Sequence, residues 1–136
     1  MTFFEWDQSY SVGIKIIDAQ HKKLFKLIDD LYVATNNIHG GKAESIENII
    51  LDLAAYVEFH FGTEEKYFKE FKYDKTESHT EEHHFYERKI ADFKNRYEKG
   101  EDVGEEMMLF LKQWLSEHIK IKDKEYSKCF SEHGLV

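Results

Sequence analysis

Apolar residues and histidines recur every three or four positions along most of the chain, which is the spacing of one face of an α-helix. Four such stretches predict helices over about residues 17–37, 43–71, 77–98 and 103–121, with a short helical segment at the C-terminus. Short segments rich in Gly, Asn and Asp separate them, and such short connections favour antiparallel neighbours. The pattern therefore predicts an all-α fold, an antiparallel up-down-up-down four-helix bundle.

Residues 1–15 precede this pattern and contain Phe3, Phe4 and Trp6. We expect them to form an N-terminal arm whose aromatic side chains pack across the bundle. The chain has no proline and only seven glycines, so it contains few residues that would end a long helix. Its 136 residues are enough for one packed core, and we expect a single domain over residues 1–136.

The charge and hydropathy of the chain exclude some partners. A formal net charge of −8 argues against nucleic acid, which requires a basic surface. No apolar run is long enough to cross a bilayer, and the acidic start is unlike a signal peptide, so a cytoplasmic protein without membrane partners is expected. The single cysteine, Cys129, can form neither an internal disulfide nor a redox motif.

Each predicted helix carries metal-binding residue types on its otherwise apolar face. These residues are His21, His60 with Glu64, His79 with His83, and His118. Members of a pair four residues apart differ by only about 40° in direction, so both point inward. One histidine on such a face is usually a hydrogen-bonded core residue. Several imidazoles and a carboxylate in one interior would each cost about 1–3 kcal/mol if unpaired, and a shared metal explains them better.

Asp123 is the next acidic residue that could join this group, five residues after His118. In a regular helix that separation turns the side chain by about 140°, so the two can share a metal only if the helix bulges in a π-like turn or breaks between them. Without the other motifs, Asp123 would be read as an ordinary exposed acid between two lysines.

The order of these motifs, a histidine followed by HxxxE, HxxxH and HxxxxD, resembles the hemerythrin family. The start EWDQSYSVGIKIIDAQHKKL and the later WLSEHIKIKDKEY are similar to its bacterial members, the bacteriohemerythrins. The resemblance implies two iron ions in a non-haem di-iron centre with an oxo or hydroxo bridge. It implies the following ligands: His79, His83 and His118 for one iron, His21 and His60 for the other, and Glu64 and Asp123 bridging both.

This ligand set would leave one coordination position open on the iron with two histidines, where family members bind dioxygen. By the same resemblance Trp114, Leu115 and Ile119 would line the oxygen pocket. Leu24 and Phe25 follow His21 by three and four residues, and this spacing would let them close its other side. As plain core residues, Trp114, Leu115 and Ile119 would look the same in the sequence. Ligand number and type favour iron over zinc, because a structural zinc site closes with four ligands and often uses cysteine.

Three further histidines, His39, His84 and His133, match no ligand position and are expected to be solvated. His84 points about 100° away from its neighbour His83. Glu81 and Glu82 are assigned to outward or flanking faces of the same helix.

The functional hypothesis is reversible dioxygen binding, by a carrier, a store or a supplier to an oxygen-consuming enzyme. The alternative is a sensor or stress protein that responds to oxygen, peroxide or nitric oxide. At 136 residues there is little room for an output domain, so a sensor would need a separate signalling partner. A third possibility is an enzyme such as a peroxidase or nitric oxide reductase; we expect no enzymatic activity.

Overall fold

The structure, a computed structural model, describes residues 4–36 and 43–136. Its helices are α1 (Lys15–Thr35), α2 (Ala43–Phe71), α3 (Thr76–Glu98), α4 (Gly104–Glu117) and α5 (Lys124–Glu132). Helix α1 packs on α2 and α4, and α2 packs on α3. Within this part of the chain no strand occurs, and no helix is long and apolar enough to cross a membrane. The predicted all-α, four-helix bundle is confirmed.

The N-terminal segment packs across the bundle through its aromatic side chains. The buried ring of Phe4 stacks on Phe25 of α1, with 4.0 Å between the ring centroids. Its backbone N–H donates to the carboxylate of Asp29 at 2.8 Å. Trp6 is partly buried and lies under the ammonium group of Lys22. The predicted aromatic arm is therefore present at Phe4 and Trp6, whereas Phe3 lies outside the described residues.

A π-helical segment, His118–Asp123, separates α4 from α5. The sequence pattern predicts a helix that continues to about residue 121, but regular α-helical geometry ends at Glu117. A π turn holds more residues per turn, so five residues after His118 the chain returns to nearly the same face. His118 Nε2 and Asp123 Oδ1 consequently lie 3.0 Å apart. The bulge required by the HxxxxD spacing is confirmed.

The described residues form two buried apolar clusters, one towards each end of the bundle. The larger cluster includes Leu24, Leu53, Ile90 and Leu111, from four helices. The smaller cluster consists of Val12, Ile14, Ile17, Phe68, Tyr73, Tyr126 and Phe130. Along α1 and α2, and from α4 into α5, buried polar residues lie between the members of the two clusters. The bundle therefore has a polar centre between two apolar ends.

Candidate metal centre

The polar centre consists of the residues that the sequence singles out as ligands. Each is no more than 2% exposed: His21, His60, Glu64, His79, His83, His118 and Asp123. They lie on α1, α2, α3 and the π-helical segment. The structure therefore brings all seven side chains into one buried cluster.

The cluster divides into two groups whose ligand atoms lie within 4.8 Å of one another. One group is Glu64, His79, His83 and His118; the other is His21, His60, Glu64 and Asp123. Three histidines therefore belong to the first group and two to the second. The two groups are unequal in their nitrogen ligands.

Each carboxylate contacts histidines of both groups. Asp123 Oδ1 lies 3.1 Å from His79 Nε2, and Asp123 Oδ2 lies 3.0 Å from His21 Nε2. Glu64 Oε1 lies 3.1 Å from His83 Nε2 and 3.5 Å from His60 Nε2. Glu64 and Asp123 are thus placed between two neighbouring groups of imidazoles.

Several inward-facing atoms of the cluster are close to one another but lack the alignment of a hydrogen bond. They are Glu64 Oε1, His83 Nε2, His118 Nε2 and Asp123 Oδ2, all buried. An unsatisfied buried polar atom costs about 1–3 kcal/mol, so four such atoms at one point need an explanation. Imidazole nitrogens and carboxylate oxygens are the donors that iron accepts. The residues present therefore fit a metal site.

The electrostatics of the cluster also favour a cation. Burial and the nearby Asp123 would raise the pKa of Glu64, but His60 and His83 outweigh them and hold it at about 2. Burial opposes ionisation of Asp123 too, yet contacts with His118 and other histidines keep its pKa well below the usual value. Both carboxylates are therefore anionic at neutral pH. Burial lowers the pKa of His60 to about 4, so its imidazole is neutral at that pH.

Three of the histidines are oriented by partners on their outer ring nitrogen, Nδ1. The partners are Gln20 Oε1 for His60 at 2.7 Å, Glu65 Oε2 for His83 at 2.8 Å, and Glu82 Oε1 for His118 at 2.9 Å. Because these oxygens accept, each Nδ1 carries a proton and each Nε2 faces the cluster, where its lone pair would be available to a metal ion. This is the tautomer that a metal ligand requires.

The sequence prediction omits these partners. Gln20 and Glu65 adjoin His21 and Glu64 in the chain, so proximity to predicted ligands is a signal that could have found them. Glu82 adjoins His83 in the chain but accepts a hydrogen bond from His118 of the π-helical segment. The sequence analysis assigns Glu82 to an outward or flanking face. Its side chain is 22% exposed and still reaches inward. Only the packing of α3 against the π-helical segment identifies its role.

Tyr126 and Phe61 also contact the cluster, and both are absent from the predicted site. Tyr126 is fully buried, and its hydroxyl donates a hydrogen bond to Glu64 Oε2. It follows Asp123 by three residues and so shares its helix face, which is a usable sequence signal. Phe61 stacks on the ring of His83 with 3.8 Å between centroids. These contacts fix one carboxylate and one imidazole.

The predicted pocket residues are all buried: Leu24, Phe25, Trp114, Leu115 and Ile119. They belong to the larger apolar cluster, next to the polar centre. The ring of Trp114 lies 6.1 Å from that of His118. Phe25 also anchors the N-terminal arm through Phe4. Burial in the core is common to both interpretations of these residues, so their role in an oxygen pocket stays a prediction.

The remaining histidines lie apart from the centre. His84 and His133 are exposed, as expected, and His39 lies outside the described residues. Cys129 is a partly buried free thiol, 4.0 Å from His133 Nδ1.

Comparisons of the sequence and of the structure with known proteins agree on one family. Residues 12–129 match the family model described as "Hemerythrin HHE cation binding domain". The bacteriohemerythrin of Clostridium acetobutylicum is 35% identical over 127 residues, covering 90% of this chain and 98% of that protein. The bacteriohemerythrin of Pseudomonas aeruginosa is 31% identical over 126 residues, covering 93% and 80%. A crystal structure of wild-type hemerythrin superposes with a TM-score of 0.86 at 26% identity, covering 95% of this chain and 98% of that one. The chain belongs to the hemerythrin family.

Proposed function

We propose that this chain binds dioxygen reversibly at a non-haem centre of two iron ions joined by an oxo or hydroxo bridge. It would act as a carrier, a store or a supplier of oxygen to another enzyme. His79, His83 and His118 would hold one ion, and His21 and His60 the other. Glu64 and Asp123 would be shared. Bound in the reduced state, the two irons would supply the electrons that oxygen takes up on binding and returns on release.

The observation that carries this proposal is the unequal division of histidines around two shared carboxylates. The group around His79 contains three imidazoles and the group around His21 contains two. If both metal ions take the same number of ligands, the position with two histidines has room for one further small ligand. Reversible binding requires such an open position, whereas a purely structural metal site is closed by its protein ligands.

The side chains around the centre support binding without further chemistry. Trp114, Leu115 and Ile119 are buried beside His118, and a dry apolar surface keeps water and anions away. Among the described residues next to the cluster, the acids Glu65 and Glu82 are engaged by imidazole Nδ1 atoms. The Tyr126 hydroxyl is engaged by Glu64. With these groups engaged, the surroundings supply no evident free acid or base, and we infer that the chain is not an enzyme.

The test is reversibility. The iron-loaded protein is reduced without oxygen, exposed to air and then returned to an oxygen-free atmosphere, while its visible spectrum is recorded. We expect a charge-transfer band that appears with air and disappears without it, from a protein with about two irons per chain. Irreversible oxidation within seconds would overturn the carrier role and favour sensing or catalysis. A single zinc per chain would overturn the di-iron centre itself.

A further inference from the structure

The hydrogen-bond partners of the histidines differ in charge between the two halves of the cluster. On the side with three histidines, His83 and His118 donate to the carboxylates of Glu65 and Glu82. On the side with two, His60 donates to the neutral amide of Gln20. Among the described residues, the anionic partners of these Nδ1 atoms therefore lie on the three-histidine side.

The neutral partner is held in a defined orientation. The hydroxyl of Thr63 donates to the carbonyl oxygen of Phe59 at 3.1 Å, so its oxygen is free to accept from Gln20 Nε2 at 3.3 Å. The other end of the amide, Oε1, must then face His60. This relay fixes the direction of the imidazole without adding charge.

The anionic partners are also held in place. Glu82 Oε1 accepts a second hydrogen bond from the hydroxyl of Tyr86 at 3.1 Å. The Glu82 and Glu65 side chains are 22% and 32% exposed, so they keep some contact with water. Both oxygens lie within 3 Å of an imidazole nitrogen and are fixed on the outer side of the three-histidine group.

A carboxylate on the outer nitrogen of an imidazole raises the basicity of the inner nitrogen, because it stabilises positive charge on the ring. We propose that Glu65 and Glu82 are positioning residues that make the three-histidine position hold its metal ion more tightly than the two-histidine position. The chain then takes up and releases its two ions in a fixed order. This inference rests on the proposed two-metal centre.

Three histidines would bind a metal ion more tightly than two even without the carboxylates. The experiment must therefore change the charge of the hydrogen-bond partners and leave the ligands in place. Metal-free protein is titrated with Co(II) in the presence of a competing chelator, which gives two stepwise dissociation constants. The wild type is expected to bind two equivalents with clearly separated constants. His21→Ala should remove the weaker event and keep the tighter one. Loss of the tighter event would overturn the proposed order.

The decisive variants are Glu82→Gln and Glu65→Gln, which keep the accepting oxygen and remove the charge. Each should weaken the tighter constant by about 10-fold and leave the weaker one unchanged, as is typical when an outer partner of a metal ligand is altered. Gln20→Glu adds the missing charge and should tighten the weaker constant. Glu81→Gln is the matched control, because Glu81 is exposed and directly precedes Glu82.

Two negative results have different meanings. If Glu82→Gln and Glu65→Gln change the constants no more than Glu81→Gln does, the assigned role of the carboxylates is wrong, while the two-metal centre stands. If the wild type binds fewer than two equivalents, the proposed function fails, and this inference fails with it.

Discussion

At the scale of single residues, His83 illustrates how a helix separates neighbours with the same side chain. Its Nε2 faces Glu64, its Nδ1 bonds Glu65, and its ring stacks on Phe61. His84, one residue later, is exposed. A turn of about 100° per residue is the whole difference between the two. Residue type alone therefore says little about ligation, and helix face decides it.

Replacing His83 by Ala should release iron, because the substitution removes one proposed nitrogen ligand and leaves Glu64 without its imidazole contact. We expect at least half of the bound iron to be lost, measured by metal analysis and by the visible spectrum of the loaded protein. His84→Ala is the control and should keep the iron content and spectrum of the wild type. Iron loss from the control would mean that the face assigned to α3 is wrong.

At the scale of elements, the π-helical segment brings the carboxylate of Asp123 to the same face of the chain as His118. Its six residues bury His118, Ile119 and Asp123, while Lys120 is exposed. Five residues in a π turn cover nearly the same rotation as four in an α-helix. HxxxxD in a π turn is therefore geometrically equivalent to HxxxD in a regular helix.

This equivalence predicts opposite results for two small changes. Deleting Lys120 should let the segment become a regular α-helix with Asp123 still facing His118, so iron content should stay within about a factor of two. Inserting one alanine after Lys120 turns Asp123 by roughly a further 100° and should remove most of the iron. Metal analysis of both variants is the measurement. Equal iron loss from both would show that the segment tolerates no change in length and would contradict the equivalence.

Helix α4 begins with a glycine that the packing of α1 requires. A Cβ added to Gly104 would lie 2.5 Å from Thr35 Oγ1 and 2.6 Å from Thr35 Cγ2. Thr35 must shift to admit it, so Gly104→Ala should lower the free energy of unfolding by about 1–3 kcal/mol, measured by urea denaturation. Gly62 in α2 has open space around it, and Gly62→Ala should instead raise that free energy by about 0.5–1 kcal/mol. Equal effects of the two substitutions would contradict this account.

Periodicity was sufficient to predict the helices, because the faces of α1 to α4 repeat every three or four residues over several turns. It also indicates the candidate ligands, since they interrupt an apolar face that would otherwise be continuous. It could not supply the partners of those ligands across helices. Glu82 meets His118, and Tyr126 meets Glu64, only after helices far apart in sequence have packed. Such contacts depend on how each helix is rotated about its axis and how closely neighbouring helices pack. The spacing of residues along one helix encodes neither.

At the scale of the whole molecule, metal content should control stability. Without metal, the centre keeps two buried carboxylates and several unsatisfied imidazole nitrogens. Removal of iron by a chelator should lower the melting temperature by about 10 °C, because an ion bound only to the folded state stabilises it by several kcal/mol. Restored Fe(II) should recover the loss and Mg(II) should not, since Mg(II) prefers oxygen ligands. Unchanged thermal unfolding after iron removal would contradict a metal-dependent core.

The position of the polar centre between two apolar clusters has a further consequence for cooperativity. The larger cluster can hold most of the four long helices together, whereas the smaller one joins residues 12–17 to α5 and to the end of α2. The buried polar residues of the centre lie between the two clusters, so we expect loss of the ions to divide one folding unit into two. In hydrogen exchange, amides of α5 would then open at a lower free energy than those in the middle of α1, by local unfolding of one end.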